Sequence, residues 1–249
     1  MSKDRAFDQR WNAPAEPGES FYPEQVAALP MAARRYLEHA IAPGTPRASV
    51  VRLQMSGAIR LKATWHPFNA DQVIRWDRGF VWHARVRMKG LPVTGFDRWI
   101  DGEGAMRWKL LGIVPILTAS GADLSRSAVE RMGIEAVWLP SVLLDPGVAW
   151  SERDVTHVGA EVRLREQHAH FELSLDEQGR IRSLSMLRWG NPEGHGYGAL
   201  PFGGTAEEER TFGGFTIPSK LRIGWYFGTD RFEPEGEFFR CTIEEAVYR

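Results

Sequence analysis

Residues 120–144, SGADLSRSAVERMGIEAVWLPSVLL, interrupt a chain that otherwise alternates in strand fashion. Leu124, Ala128, Met132, Ala136 and Leu139 recur near a helical period and form one apolar stripe, which predicts one long interior helix. Ser120 and Asp123 have the spacing of a capping box. Arg131 and Glu135 are four apart and therefore neighbours on the helix surface. Trp138 and Pro140 close the segment, because proline cannot continue a regular helix and restricts the residue before it. With strand patterns on either side, this helix is expected to pack across two β-rich halves.

The clearest strand is FVWHARVRM, residues 80–88. Phe80, Trp82, Ala84, Val86 and Met88 share one face, and Val81, His83, Arg85 and Arg87 share the other. The same period of two runs through 50–61, 72–76, 93–100 and 105–110, and after the helix through 161–166, 169–175, 181–188, 207–212, 220–227 and 237–248. DGEG, DEQG and Gly213-Gly214 are turn signals that make the strands antiparallel neighbours. Residues 23–41 read as a helix or helix pair broken at Pro30. The expected fold is α+β: a large curved antiparallel sheet of about 10–11 strands, an open half-barrel, with an N-terminal helix and the central helix across its concave side. Residues 1–20, polar and carrying Pro14 and Pro17, read as a flexible arm, and 21–249 as one β-rich domain with the helical insert at 120–144.

The 249 residues carry 31 basic and 32 acidic side chains, a net charge of −1, so bulk charge gives no reason to expect nucleic acid or an anionic membrane as partner. A single cysteine, Cys241, excludes an intramolecular disulfide, and no stretch has the apolar length of a signal peptide or a membrane span. The expectation is a soluble cytoplasmic protein with no integral membrane segment and no nucleic-acid partner. Ten tryptophans and thirteen phenylalanines suit broad packed sheets or the walls of a cavity.

Leu29 with Arg35-Tyr36-Leu37, then FVWHARVRM with GLPV, LLGIVPI, Arg131 with EAVWLPSVLL, and GGFTIPSKLRIGW form an ordered set of motifs. The set resembles the uncharacterised bacterial family DUF6544 over most of residues 29–249. The order of elements also resembles the LolA-like lipoprotein-carrier fold, which implies an open half-barrel around an apolar cavity with helices as a lid. Two departures stand out. The chain shows no export signal of the kind the carriers have, and Gly133 beside Met132 replaces a bulkier pair, which is expected to loosen the helix by up to about 1 kcal/mol.

The resulting expectation is a binding protein for a hydrophobic or lipid-like small molecule. Trp65, Trp82, Trp108 and Trp138 are expected to line or border the cavity, with Arg131 as anchor for a carboxylate or phosphate and Glu135 beside it. The alternatives are an enzyme using Glu135 or His195 as acid or base on a hydrophobic substrate, and a scaffold whose core is filled by its own side chains. No GxSxG, HExxH, P-loop or GxGxxG motif opens a catalytic reading. His168 and His170 share a strand face and His157 lies on a neighbouring strand, but zinc needs three or four ligands at about 2 Å, and neither a metal nor another cofactor is expected. The glycine-rich stretch 190–204, holding His195 and Tyr197, reads as a long loop that serves either as a lid or as a plain connection.

Overall fold

The structure, a computed structural model, describes residues 5–15 and 18–249. Thirteen strands form one antiparallel sheet: β1 (Val50–Leu61), β2 (Thr64–Arg75), β3 (Gly79–Met88), β4 (Leu91–Ile100), β5 (Glu103–Leu110), β6 (Val114–Ser120), β7 (Ala149–Asp154), β8 (His157–Leu164), β9 (Gln167–Leu175), β10 (Ile181–Gly190), β11 (Gly198–Phe212), β12 (Phe215–Trp225) and β13 (Glu237–Tyr248). Their order is β6-β5-β4-β3-β2-β1-β13-β12-β11-β10-β9-β8-β7. Two meanders are thus joined by the pairing of β1 with β13, which runs from Val51↔Tyr248 to Ile59↔Phe239 with a bulge at Gln54/Met55. Bulges of this kind bend a strand and raise its twist.

The topology dictates where the central helix goes. β6 is one edge of the sheet and β7 the other, so the segment that joins them must cross from edge to edge. It does so as α3 (Ala122–Ile134), which packs on β3–β6 of one wing and β8–β10 of the other. The predicted helix is shorter than 120–144: after Ile134 the chain tightens into 3₁₀ turns at Glu135–Trp138 and Pro140–Leu144. Ser120 ends β6 and does not cap, since Gly121 at φ 122 stands at the helix start, a backbone that favours glycine.

The strand count exceeds the expected 10–11 because β6 and β7 lack alternation. β6 opens with the apolar run VPIL on an exposed edge, and AWSERD is largely exposed and polar. β11 likewise claims Gly198–Gly204, so the glycine-rich loop shrinks to 191–197. Hairpins close where two successive residues take positive φ: Lys89-Gly90, Asp101-Gly102, Leu111-Gly112 and Gly213-Gly214.

Two further helices flank the sheet. Pro30 precedes α2 (Met31–Ala40), whose Ala33, Tyr36, Leu37 and Ala40 enter the main core. Inside the stretch expected to be an arm, α1 (Arg5–Asn12) lies on the outer face, where Phe7 and Trp11, four apart, cover Val50, Val73 and Val81. Residues 1–4 and 16–17 of that stretch lie outside the described residues.

Candidate functional site

Strand parity decides what faces α3. On β2, Phe68, Ala70, Gln72 and Ile74 point inward, as do Val93, Gly95, Asp97 and Trp99 on β4 and Leu184, Met186 and Arg188 on β10. Two of these strands therefore place a charged group, and one an amide, on a face that is otherwise apolar. Arg131 and Glu135 descend on them from the last turn of α3 and the 3₁₀ turn after it.

The polar groups form one network. Arg131 Nε donates to Glu135 Oε1 at 2.7 Å, and its Nη1 stands 3.7 Å from Asp97 Oδ2. Gln72 Nε2 donates to Glu135 Oε2 at 2.6 Å, and Trp108 Nε1 to Asp97 Oδ1 at 3.1 Å. Burial raises the Asp97 carboxyl above its ordinary range, although Arg131 pulls the other way. Burial, then the like charge of Arg131, pushes the Arg188 guanidinium down to about 10. Arg188 donates to the Ser127 carbonyl at 3.2 Å and lies over the rings of Phe202 and Trp225 at 4.5 and 5.3 Å. Gln72 is fully buried. Its amide nitrogen is committed to the carboxylate, and its Oε1 has no hydrogen-bond partner among the described residues.

Two cavities meet at this network. The inner one, about 150 Å³, is walled by Trp82, Trp138, Leu184, Leu221, Ile223 and Phe239 and reaches Gln72, Asp97, Arg131, Glu135 and Arg188. The outer one, about 240 Å³, shares Asp97, Arg131, Arg188 and Phe238 with it and is bordered by Asn191, Pro192 and Tyr197 of the glycine-rich loop. Together they reach the lower end of the ~300–1,000 Å³ usual for small-molecule pockets.

The expected site residues separate accordingly. Arg131, Glu135, Trp82 and Trp138 all line the inner cavity. Trp138 is also a structural pin, donating from Nε1 to the Pro218 carbonyl at 3.1 Å. Trp108 stands behind the wall, 5.8 Å from Trp82, and orients Asp97. Trp65 is elsewhere. Its strand neighbours Phe68 and Ala70 have the opposite parity, and it sits on the outer face under the guanidinium groups of Arg240 and Arg60. Asp97, Arg188 and Gln72 were not among the expected residues; polar residues at inward parity within otherwise apolar faces are the signal that marks them.

Neither acid–base candidate stands free in the cavity. Glu135 is engaged at both oxygens, and the His195 side chain is 85% exposed. His157, His168 and His170 each pair with a separate carboxylate, Asp154, Glu161 and Glu172. Among the described residues no group of three or more His, Cys, Asp or Glu could hold a metal ion.

Residues 27–248 match a family of unknown function, DUF6920, and the chain belongs to it. The motif resemblance to DUF6544 is corrected by that match. No curated protein shows significant similarity. Two of the solved structures to which the chain is similar are the following. One is a DUF1329 family protein from Desulfovibrio piger, at 7% identity over 88% of this chain and 90% of that one, with a TM-score of 0.43. The other is a LolA superfamily protein from Nitrosomonas europaea, at 7% identity over 88% and 92%, with a TM-score of 0.45. At such identity a likeness of fold transfers no activity.

Proposed function

We propose that this member of the DUF6920 family binds an amphipathic small molecule, with its apolar part in the inner cavity and an anionic or hydrogen-bonding group at the network of Asp97, Arg131 and Arg188. The observation that carries this reading is the pair of adjoining cavities with that network as their shared wall. A core filled for stability alone has no use for two guanidinium groups on its inner face, since burying charge is costly unless it is paired.

The chemistry fits one class of ligand. Arg131 is occupied by Glu135, whereas among the described residues Arg188 donates to a backbone carbonyl and rests on two rings. It is therefore the cation available to a carboxylate or phosphate. Gln72 Oε1 supplies an acceptor at the apolar side, suited to a hydroxyl or amide on the ligand. The modest volume favours a medium-length chain or a compact ring system.

Native mass spectrometry of the mildly purified protein tests this directly. A copurifying adduct, displaced by a medium-chain fatty acid and lost in Leu184→Trp, supports the proposal. A bare mass, together with no calorimetric binding of fatty acids or of their neutral alcohols, overturns it.

A further inference from the structure

We infer that the end of the sheet formed by the β1–β2, β3–β4 and β5–β6 turns docks on an anionic lipid bilayer. The inference stands on the composition of that end and not on the cavity, so it survives or fails independently of the ligand reading.

An antiparallel meander brings alternate turns to the same end, so residues 61–64, 88–91 and 110–114 are neighbours in space. They carry a cluster of exposed apolar side chains, Leu61, Leu91, Leu111, Val114 and Ile113, the last 77% exposed, and Ile116 follows on β6. Hairpin tips ordinarily carry Gly, Asn or Asp, which both tolerate positive φ and hydrate well. Here Leu111 takes φ +54 with its side chain in water. Two penalties fall on one residue, and neither serves the fold, because the sheet needs only the turn. Exposed apolar tips of this kind mark an interaction surface.

Charge identifies the partner. Segments 58–70, 84–96 and 104–122 contain none of the 32 acidic residues, yet carry Arg60, Lys62, Arg85, Arg87, Lys89, Arg107 and Lys109. The near-zero net charge of the whole chain conceals this segregation. On the outer face the basic side chains continue into a groove of about 930 Å³ that includes His83, Arg85, Arg107 and Lys109, with Asp71 and Glu244 as its acidic members. The β12–β13 loop, which the pairing of Ile59 with Phe239 brings to this end, carries Asp230, Glu233 and Glu235, of which Glu233 pairs with Arg222 and Glu235 with Arg231. Apolar tips ringed by amines match the layered chemistry of an anionic leaflet, acyl chains beneath phosphates. A second copy meeting this end face to face would instead oppose two sets of cations. No helix among the described residues is long and apolar enough to cross a membrane, so the turns would engage the surface. Ile59, Phe238 and Phe239 of the inner cavity stand on strands that end beside these turns, which would turn the cavity toward the bilayer.

Flotation with vesicles of phosphatidylcholine, with and without phosphatidylglycerol, reads this out. The full chain is expected to float with the anionic vesicles and to be released by high salt. The combination Lys62→Gln, Lys89→Gln and Lys109→Gln should weaken partitioning by about a hundredfold, at about fivefold per lysine. Leu111→Asn with Ile113→Ser should abolish it while leaving the circular dichroism melting curve in place, since both side chains are exposed. A tryptophan placed by Ile113→Trp should shift its emission to the blue on vesicle addition. Absence of flotation on anionic vesicles overturns the inference, as does flotation that the tip substitutions leave unchanged. So does a concentration-dependent dimer in light scattering that Ile113→Ser dissociates, because a second copy would then be what covers the turns.

Discussion

Gly133 of α3 faces Ala169 of β9 so closely that a β-carbon built on the glycine would stand 2.2 Å from that of the alanine. The glycine is therefore a contact surface. Read from helix propensity alone it loosens α3, and Gly133→Ala should stabilise by up to about 1 kcal/mol. The packing reverses the sign. The added methyl must push α3 off the sheet or bend β9, and overpacking of this kind costs about 1–3 kcal/mol. Urea denaturation of Gly133→Ala should show a lower midpoint than wild type. Ala169→Gly in the same background should recover part of the loss, and a midpoint above wild type for the single variant would show that the helix seat is soft.

The contrast shows what was legible before the structure. The antiparallel meander, its turns and the helix over the concave face follow from local periodicity and turn chemistry, both written in neighbouring residues. Arg131, Glu135 and Trp138 were legible for the same reason, as one amphipathic segment. Trp65 misled because a ring's appetite for burial says nothing of which face its strand offers; its odd number beside the even-numbered inward set of β2 does. Arg188 and Asp97 reach the network from strands on opposite wings, a long-range meeting under α3 that no local pattern announces. β6 and β7 were illegible because exposed edges have no buried face to impose alternation.

Glu237 carries a pH dependence of stability. Its buried carboxylate works against the cost of desolvation, but Arg222 donates to it at 2.9 and 2.8 Å and Arg240 at 2.6 and 3.2 Å, and together they hold its pKa at about 2. In the unfolded chain a glutamate titrates near ~4.3. Folding thus favours the ionised form, so the contribution is complete above the unfolded value and disappears as pH falls toward about 2; it amounts to about 3 kcal/mol. Glu237→Gln should lose about that much at neutral pH, and its denaturation midpoint should fall less between about pH 5 and pH 2 than that of wild type. Parallel curves for the two proteins would mean that the arginines contribute nothing through this carboxylate.

Cys241 lies at the centre of β13 and is 2% exposed. Burial, with Glu135 adding to it, pushes the thiol up to about 12. A nucleophilic thiolate is then scarce at neutral pH, and the sulfur is also shielded from reagents. Native protein should resist iodoacetamide and label only on unfolding, so the labelling rate follows global stability. The destabilised Gly133→Ala variant should accordingly label faster than wild type. Rapid modification of the folded protein would show that β13 opens locally from its neighbours.

The two arginines of the cavity should behave oppositely. Arg131 pairs with both Glu135 and Asp97, at 2.7 and 3.7 Å, so Arg131→Met takes the ion-pair partner from two largely buried carboxylates. Losing one partner of a buried pair is costly, and discounting for the partial exposure of these groups leaves a loss of about 2 kcal/mol. Among the described residues Arg188 donates to the Ser127 carbonyl and makes no ion pair, and its guanidinium already bears the penalty of burial. Arg188→Met keeps the apolar stem against Phe202 and removes that penalty, so the denaturation midpoint should stay near wild type or rise. Its effect belongs to the ligand instead. If an anionic amphiphile is held as proposed, calorimetry with a medium-chain fatty acid should show binding weakened by about 10- to 100-fold in Arg188→Met, with little change for the corresponding alcohol. Equal affinity for acid and alcohol in wild type would remove Arg188 from the role of anchor, because a guanidinium that cannot distinguish a carboxylate from a hydroxyl is not touching the head group.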